Sequence, residues 1–198
     1  MVKCGMQKSI LVIGGPSCVG KDTLIKRLIS DEPNRFEKVP SFCTRTPRPN
    51  EENGKTYFFI DVPTFLKKLE SGDIFEHTHI FGTYRGMSKT IIDEIMSRGK
   101  IPIKEPDIIG LRALKRAYGD AIVSIFLTAP KETIRERIKL RGDTDEEIKL
   151  RLDEYEHRHS TKDEWDYMVS TAGTIDETAK AVQNILGGIQ WKNNKRRK

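Results

Sequence analysis

Apolar positions along the chain alternate between two periods. Ser9 to Gly14 (SILVIG) is a short apolar run ending in glycine, the pattern of a buried strand. Asp22 to Ser30 follows with Leu24, Ile25, Leu28 and Ile29 at helical spacing, until Asp31-Glu-Pro33-Asn34 breaks it. Residues 36–60 are mixed, with Pro40, Pro47 and Pro49, and end in the strand-like Tyr57-Phe-Phe-Ile60. Asp61 and Pro63 open a helix that Gly72 closes. Ile74 to Phe81 reads as a strand, and Gly82-Thr-Tyr-Arg-Gly86 as a turn. Ser88 is placed to cap a helix with Ile91, Ile92, Ile95 and Met96 inward, ended by Gly99.

The second half is more regular. Ile101 to Ile103 is a short strand, Ile108 to Tyr118 a helix, and Ala121 to Thr128 a buried strand. Pro130 starts a helix that Gly142 ends. Asp145 to about Trp165 is a long polar helix, Tyr167 to Ser170 a last strand and Asp176 to Leu186 a last helix. Strands alternating with helices predict an α/β fold, a parallel sheet with helices on both faces.

Composition narrows the class. A chain of 198 residues is long enough for one domain with its own core, and 36% hydrophobic with 32% charged residues excludes a fibrous or disordered chain. No apolar run approaches the ~18 residues of a membrane span, and Ile10 to Ile13 is too short for a signal peptide. The expected location is therefore the cytoplasm. Three cysteines, Cys4, Cys18 and Cys43, form neither a disulfide framework nor a zinc site. His77-x-His79 and His157-x-His159 lack a third ligand. The net charge of +6 is concentrated in the tail: Lys192, Lys195, Arg196, Arg197 and Lys198 carry most of it. Such a tail is a solvated end rather than a specific nucleic-acid site.

The first specific chemistry is Gly15-Pro16-Ser17-Cys18-Val19-Gly20-Lys21, placed after the first strand and opening the first helix. This is G-x-x-x-x-G-K in the context it requires. Glycines let backbone N–H groups curl into an anion-binding nest, and the helix start adds roughly half a positive charge. Lys21 reaches the outer phosphates as a point charge. Asp22 stands where a hydroxyl residue is usual, with Thr23 next. Either Asp22 or Thr23 supplies the oxygen for a magnesium ion.

A second segment, Ser41-Phe-Cys-Thr-Arg45-Thr-Pro-Arg48-Pro-Asn-Glu51-Glu-Asn53-Gly54-Lys55-Thr-Tyr57, carries two arginines three apart around a proline that fixes φ. Arginine suits a bidentate grip on phosphate. With these residues and the loop before them, the chain resembles guanylate kinase from about residue 9 to residue 187. The resemblance implies a P-loop nucleoside monophosphate kinase: one domain over residues 1–190 and a basic tail over 191–198. The domain would comprise a parallel-sheet core (8–38 and 99–190), an inserted GMP-binding lobe (about 39–98) and a helical lid (about 137–152). It implies phosphoryl transfer from ATP to GMP, and to dGMP, giving ADP and the nucleoside diphosphate, with magnesium; a monomer or homodimer is expected. Ser41, Arg45, Arg48, Glu51, Tyr57 and Glu76 would belong to the GMP site, with Arg45, Arg48 and Tyr57 on the acceptor phosphate. Tyr84 and Arg85 would join them, and Glu105 and Asp107 would complete the site. Arg137, Arg141 and Arg151 would reach the phosphates.

The residues themselves agree. Guanine offers two donors, N1–H and the N2 amino group, and a pair of carboxylates such as Glu76 and Asp107 accepts from both. For Asp107, which follows a proline at a strand-to-helix turn, a helix N-cap is the plainer alternative. Arg137 and Arg141 are four apart and share a helical face. Four positions depart from the family pattern: Asp22, Arg85 in place of a tyrosine, Met87 near a usual hydroxyl residue, and Glu105 in place of an aspartate. The alternatives are a kinase of this fold with another phosphorylated acceptor, such as a ribose bisphosphate, or a binding module that transfers nothing.

Overall fold

The computed structural model describes residues 8–49, 51–80, 82–140 and 143–191. They fall into two compact units, one of residues 8–33 with 104–191 and one of residues 34–103. The architecture is α/β with a mostly parallel central sheet.

In the first unit, β1 (Ile10–Gly14) pairs in parallel with β8 (Ile122–Thr128), and β8 with β9 (Tyr167–Ser170). Every residue of β1 is buried, as are Ile122 to Leu127 of β8. Such continuous apolar runs belong to parallel strands covered on both faces. α1 (Lys21–Asp31) buries Leu24, Ile25 and Leu28, and α7 (Ile175–Gly187) buries Ala179, Val182 and Leu186. α4 (Ile108–Tyr118) buries Leu111 and Leu114; α5 (Lys131–Lys139) buries Ile134 and Ile138.

α6 (Asp145–His159) is shorter than the pattern predicts. Thr144 and Glu147 form a reciprocal capping box at its start. Two hydroxyls stop it: Ser160 Oγ donates to the His157 carbonyl at 2.7 Å, and Thr161 Oγ1 to that of Arg158 at 2.8 Å. A 3₁₀ turn over Lys162–Glu164 follows and delivers Trp165 against the end of β1. A Cβ on Gly14 would lie 2.0 Å from the Trp165 ring. Gly14→Ala is therefore expected to overpack the junction between β1 and the loop, costing about 1–3 kcal/mol. A melting experiment checks this; an unchanged Tm contradicts it.

In the second unit, β2 (Phe36–Lys38) pairs in parallel with β7 (Ile101–Lys104). A separate four-stranded sheet has the order β4 (Tyr57–Phe59), β3 (Ser41–Cys43), β6 (Thr83–Ser88), β5 (Ile74–Ile80). β3 and β4 run parallel, while β6 is antiparallel to β3 and β5. The expected turn over residues 82–86 is thus mostly strand. Gly82, at φ 72°, lies in the reversal between Ile80 and Thr83; Thr83 onward pairs with β5, and Arg85 and Gly86 pair with β3 as well. Gly86 has no side chain because a Cβ there would meet Ile74 at 2.6 Å and Phe65 at 3.0 Å. α2 (Val62–Glu70), capped by Asp61, lays Phe65 on Phe42 and Ile74 to form this unit's core. α3 (Lys89–Ser97) is capped by Ser88 and buries Ile92 and Ile95.

Candidate active site

The loop between β1 and α1 is shaped by three left-handed residues. Gly15 has φ 135° and Gly20 φ 104°. A Cβ on Gly15 would lie 2.4 Å from the Leu127 carbonyl oxygen, so only glycine fits. Cys18, at φ 61°, is the one non-glycine residue with positive φ among the described residues, a conformation costing roughly 1–2 kcal/mol. Backbone held this way at a glycine-rich turn aims successive N–H groups inward. Val19 is fully buried and anchors the loop to the core.

Three cations from three helices converge on this loop. Lys21 Nζ donates to the Gly15 carbonyl at 2.9 Å and the Pro16 carbonyl at 2.7 Å. Arg137 of α5 donates through Nη1 to the Val19 carbonyl at 3.2 Å and Thr171 Oγ1 at 3.1 Å, and through Nη2 to the Thr171 carbonyl at 2.5 Å. Arg151 of α6 donates to Ser17 Oγ at 3.0 Å and ion-pairs with Asp143 at 2.8 Å. Arg141 lies outside the described residues. Asp22 and Thr23 are both exposed in the first turn of α1.

The second unit gathers its own cluster. Sheet register places Ser41 beside Tyr57, Cys43 beside Phe59 and Arg85, Arg85 beside Thr78, and Met87 beside Glu76. Cross-strand neighbours share a face, so Ser41, Tyr57, Glu76 and Arg85 line one side of the sheet. The Arg45 guanidinium sits 5.4 Å from the Tyr57 ring centre, and that of Arg85 5.7 Å. Arg45 also grips Glu51 bidentately, both contacts at 2.6 Å, and Glu51 accepts from the Arg48 backbone N–H at 2.8 Å. The Arg45 guanidinium, followed by the Arg48 amide, holds the Glu51 carboxyl down at about 2. The register does not bring Tyr84 to this face. Its ring lies on the opposite side, stacked on His79 at 3.9 Å and packed against Phe65 at 5.2 Å.

Two predicted site residues follow β7. Glu105 is half-buried. Asp107 does cap α4, its Oδ1 accepting from the Gly110 N–H at 2.9 Å. Among the described residues its Oδ2 accepts no further bond, so the cap leaves one oxygen for a ligand.

Comparisons with known proteins show the family. The guanylate kinase family model matches residues 7–188. A guanylate kinase of Chlamydia felis is 38% identical over 138 residues, 69% of this chain and 67% of that protein. Another, of Wolinella succinogenes, is 38% identical over 140 residues, 70% of this chain and 65% of that protein. The matched stretch thus spans about two thirds of these relatives. A crystal structure of guanylate kinase from Anaplasma phagocytophilum superposes with a TM-score of 0.69 at 28% identity, covering 95% of this chain and 89% of that one.

The chain belongs to the guanylate kinase family.

Two features of this guanylate kinase family member are invisible to motif reading. A cavity of about 260 Å³ opens beside Val19 and Gly20 and is lined by Thr23, Arg137, Thr171, Gly173 and Ile175. Thr171 to Ile175 follow β9 and carry no motif, but a loop after a parallel strand lies at the sheet's carboxyl edge, where ligands of open α/β sheets bind. A second cavity of about 190 Å³ is lined by Gly15, Asp107, Glu154, Arg158 and Trp165 among others. Arg158 is held by Glu154 at 2.7 Å. Burial, and next the nearby Arg158 charge, lower the Lys21 ammonium to about 8. Asp22, Glu154 and Glu105 oppose that shift.

Among the described residues no group of three His, Cys, Asp or Glu side chains is placed to hold a metal. No helix among them is long and apolar enough to cross a membrane.

Proposed function

We propose that the chain transfers the γ-phosphoryl group of ATP to GMP, and to dGMP, giving ADP and the nucleoside diphosphate. One observation carries the reading: Lys21, Arg137 and Arg151, from separate helices, all bond to a single phosphate-type loop. Phosphoryl transfer needs positioning and charge neutralisation more than acid–base chemistry, and this arrangement offers both.

The donor phosphates lie on the backbone of Gly15, Pro16, Ser17, Cys18, Val19 and Gly20 and on Lys21. Lys21 exchanges its two carbonyl partners for phosphate oxygens, while Arg137 and Arg151 flank them. The cavity at Val19, Gly20 and Thr171 takes the donor base, because no acceptor candidate lines it. In the second unit, Arg45, Arg48, Arg85 and Tyr57 hold the acceptor phosphate, and Ser41 and Glu76 read the base. An oxygen of the GMP phosphate, already a dianion at neutral pH, attacks the γ-phosphorus. The bond from that phosphorus to the β–γ bridging oxygen breaks, and no catalytic base is required. The lobe over residues 34–103 serves as the acceptor domain. Residues 137–152 serve as a lid that keeps water from competing with GMP.

Asp22 and Thr23 offer hard oxygens beside Lys21, a donor set that fits magnesium. When bound, the ion neutralises charge on the β- and γ-phosphate oxygens. The free Cys18 and Cys43 thiols fit a reducing cytoplasm.

The test is ADP release across GMP, dGMP, AMP, UMP and ribose bisphosphate. GMP and dGMP are expected to support turnover; activity with AMP and none with GMP overturns the assignment of Glu76. The Lys21 pKa adds a second expectation. Incoming phosphates favour the charged ammonium and raise its pKa above about 8. At pH 8.5, ATP binding should take up a fraction of a proton, and affinity should fall as pH rises through 8. Calorimetry in two buffers of different ionisation enthalpy measures this; zero proton uptake contradicts it.

A further inference from the structure

The lining of the donor-base cavity is chemically permissive. Besides Val19, Gly20, Gly173 and Ile175, it presents the Cys18 thiol, the hydroxyls of Thr23, Thr171 and Thr178, and the Arg137 guanidinium. No carboxylate or carboxamide side chain lines it among the described residues. A hydroxyl rotates and either donates or accepts, so it meets a 6-amino and a 6-oxo purine equally well.

Several of these groups are also occupied. Thr171 Oγ1 donates to the Val19 carbonyl at 2.8 Å and accepts from Arg137. Thr178 Oγ1 donates to the Thr174 carbonyl at 3.0 Å. The backbone beside the cavity is similarly tied. The Thr171 N–H bonds Thr128, the Thr171 carbonyl accepts from Arg137, the Ala172 N–H bonds Ser170 Oγ, and the Thr174 N–H bonds Glu177. Tied in this way, these groups are not dedicated to the 6-position of a purine.

We propose that this cavity selects a purine by shape and contact rather than by its 6-substituent, so that GTP and ITP serve as phosphoryl donors alongside ATP. The proposal rests on the reading of this cavity as the donor-base site. Sites built to hydrogen-bond one substrate edge discriminate by ~10⁴–10⁵, whereas pockets without such groups manage far less. The two base sites are then built on opposite principles. The acceptor site reads its purine with the Glu76 carboxylate; the donor site grips phosphates and tolerates the base.

The experiment measures kcat/KM for ATP, GTP and ITP at fixed GMP, with products separated by chromatography. Values within tenfold of one another are expected; a preference beyond tenfold for either the 6-amino or the 6-oxo triphosphates overturns the proposal. If no triphosphate phosphorylates GMP, the phosphoryl-transfer reading fails by itself, and binding then decides the present one. Displacement of N-methylanthraniloyl-ADP by ADP, GDP and IDP should occur with affinities within tenfold. A stronger preference for ADP again overturns it.

Discussion

Lys21→Ala is expected to lower turnover by roughly 10³-fold or more while the protein stays folded. Removing one preorganised donor from a developing charge costs ~10²–10³ in rate, and a cation at a transferring phosphoryl group is worth as much or more. The ammonium is half-buried and bonded only to two loop carbonyls, Gly15 and Pro16. Losing those bonds leaves two acceptors that water reaches at the open cavities, so stability should change little. A Lys21→Arg variant should not restore the rate, because a planar fork does not replace a point charge in this space. Steady-state kinetics with a melting curve checks the pair of statements. A folded Lys21→Ala protein with turnover within tenfold of wild type contradicts the phosphate role of the loop.

Arg45→Ala is expected to be the second largest loss, about 10²–10³-fold in kcat/KM for GMP, with ATP affinity unchanged. Arg45 lies over Tyr57 and binds both oxygens of Glu51. Its removal takes away the bidentate donor and also frees Glu51, whose negative charge then faces an incoming phosphate. The Glu51 carboxyl, held at about 2, remains ionised throughout the physiological range. Arg45→Ala combined with Glu51→Gln should therefore recover part of the loss, since it removes the uncompensated charge. If ATP affinity falls as much as GMP affinity, Arg45 is not specific to the acceptor.

What the sequence made legible follows from the range of the interactions involved. The run Ser9–Gly14, the loop to Lys21 and the helix after it are specified within about twenty residues, so spacing alone located them. The cap residues Asp61, Ser88 and Asp107 were equally local. The four-stranded sheet was not legible, because β3 and β4 are three residues each and their pairing joins distant segments. Tyr84 and Arg85 show the limit most clearly. Strand alternation sends adjacent residues to opposite faces, but which face is core depends on Phe65, delivered by α2. The end of α6 depended on two hydroxyls closing on its last carbonyls, against a pattern that reads as continued helix to Trp165. The residues after β9 gave no signal, since a threonine and a glycine become a cavity wall only through the sheet order.

The central claim is direct passage of one phosphoryl group between two bound nucleotides. The most direct measurement follows the label from ATP carrying ³²P at the γ-position, in the presence of unlabelled GMP. The account predicts that all released label appears in the β-phosphate of GDP, in step with ADP formation. Label accumulating as free inorganic phosphate while GMP is saturating, or none leaving ATP at all, would contradict it.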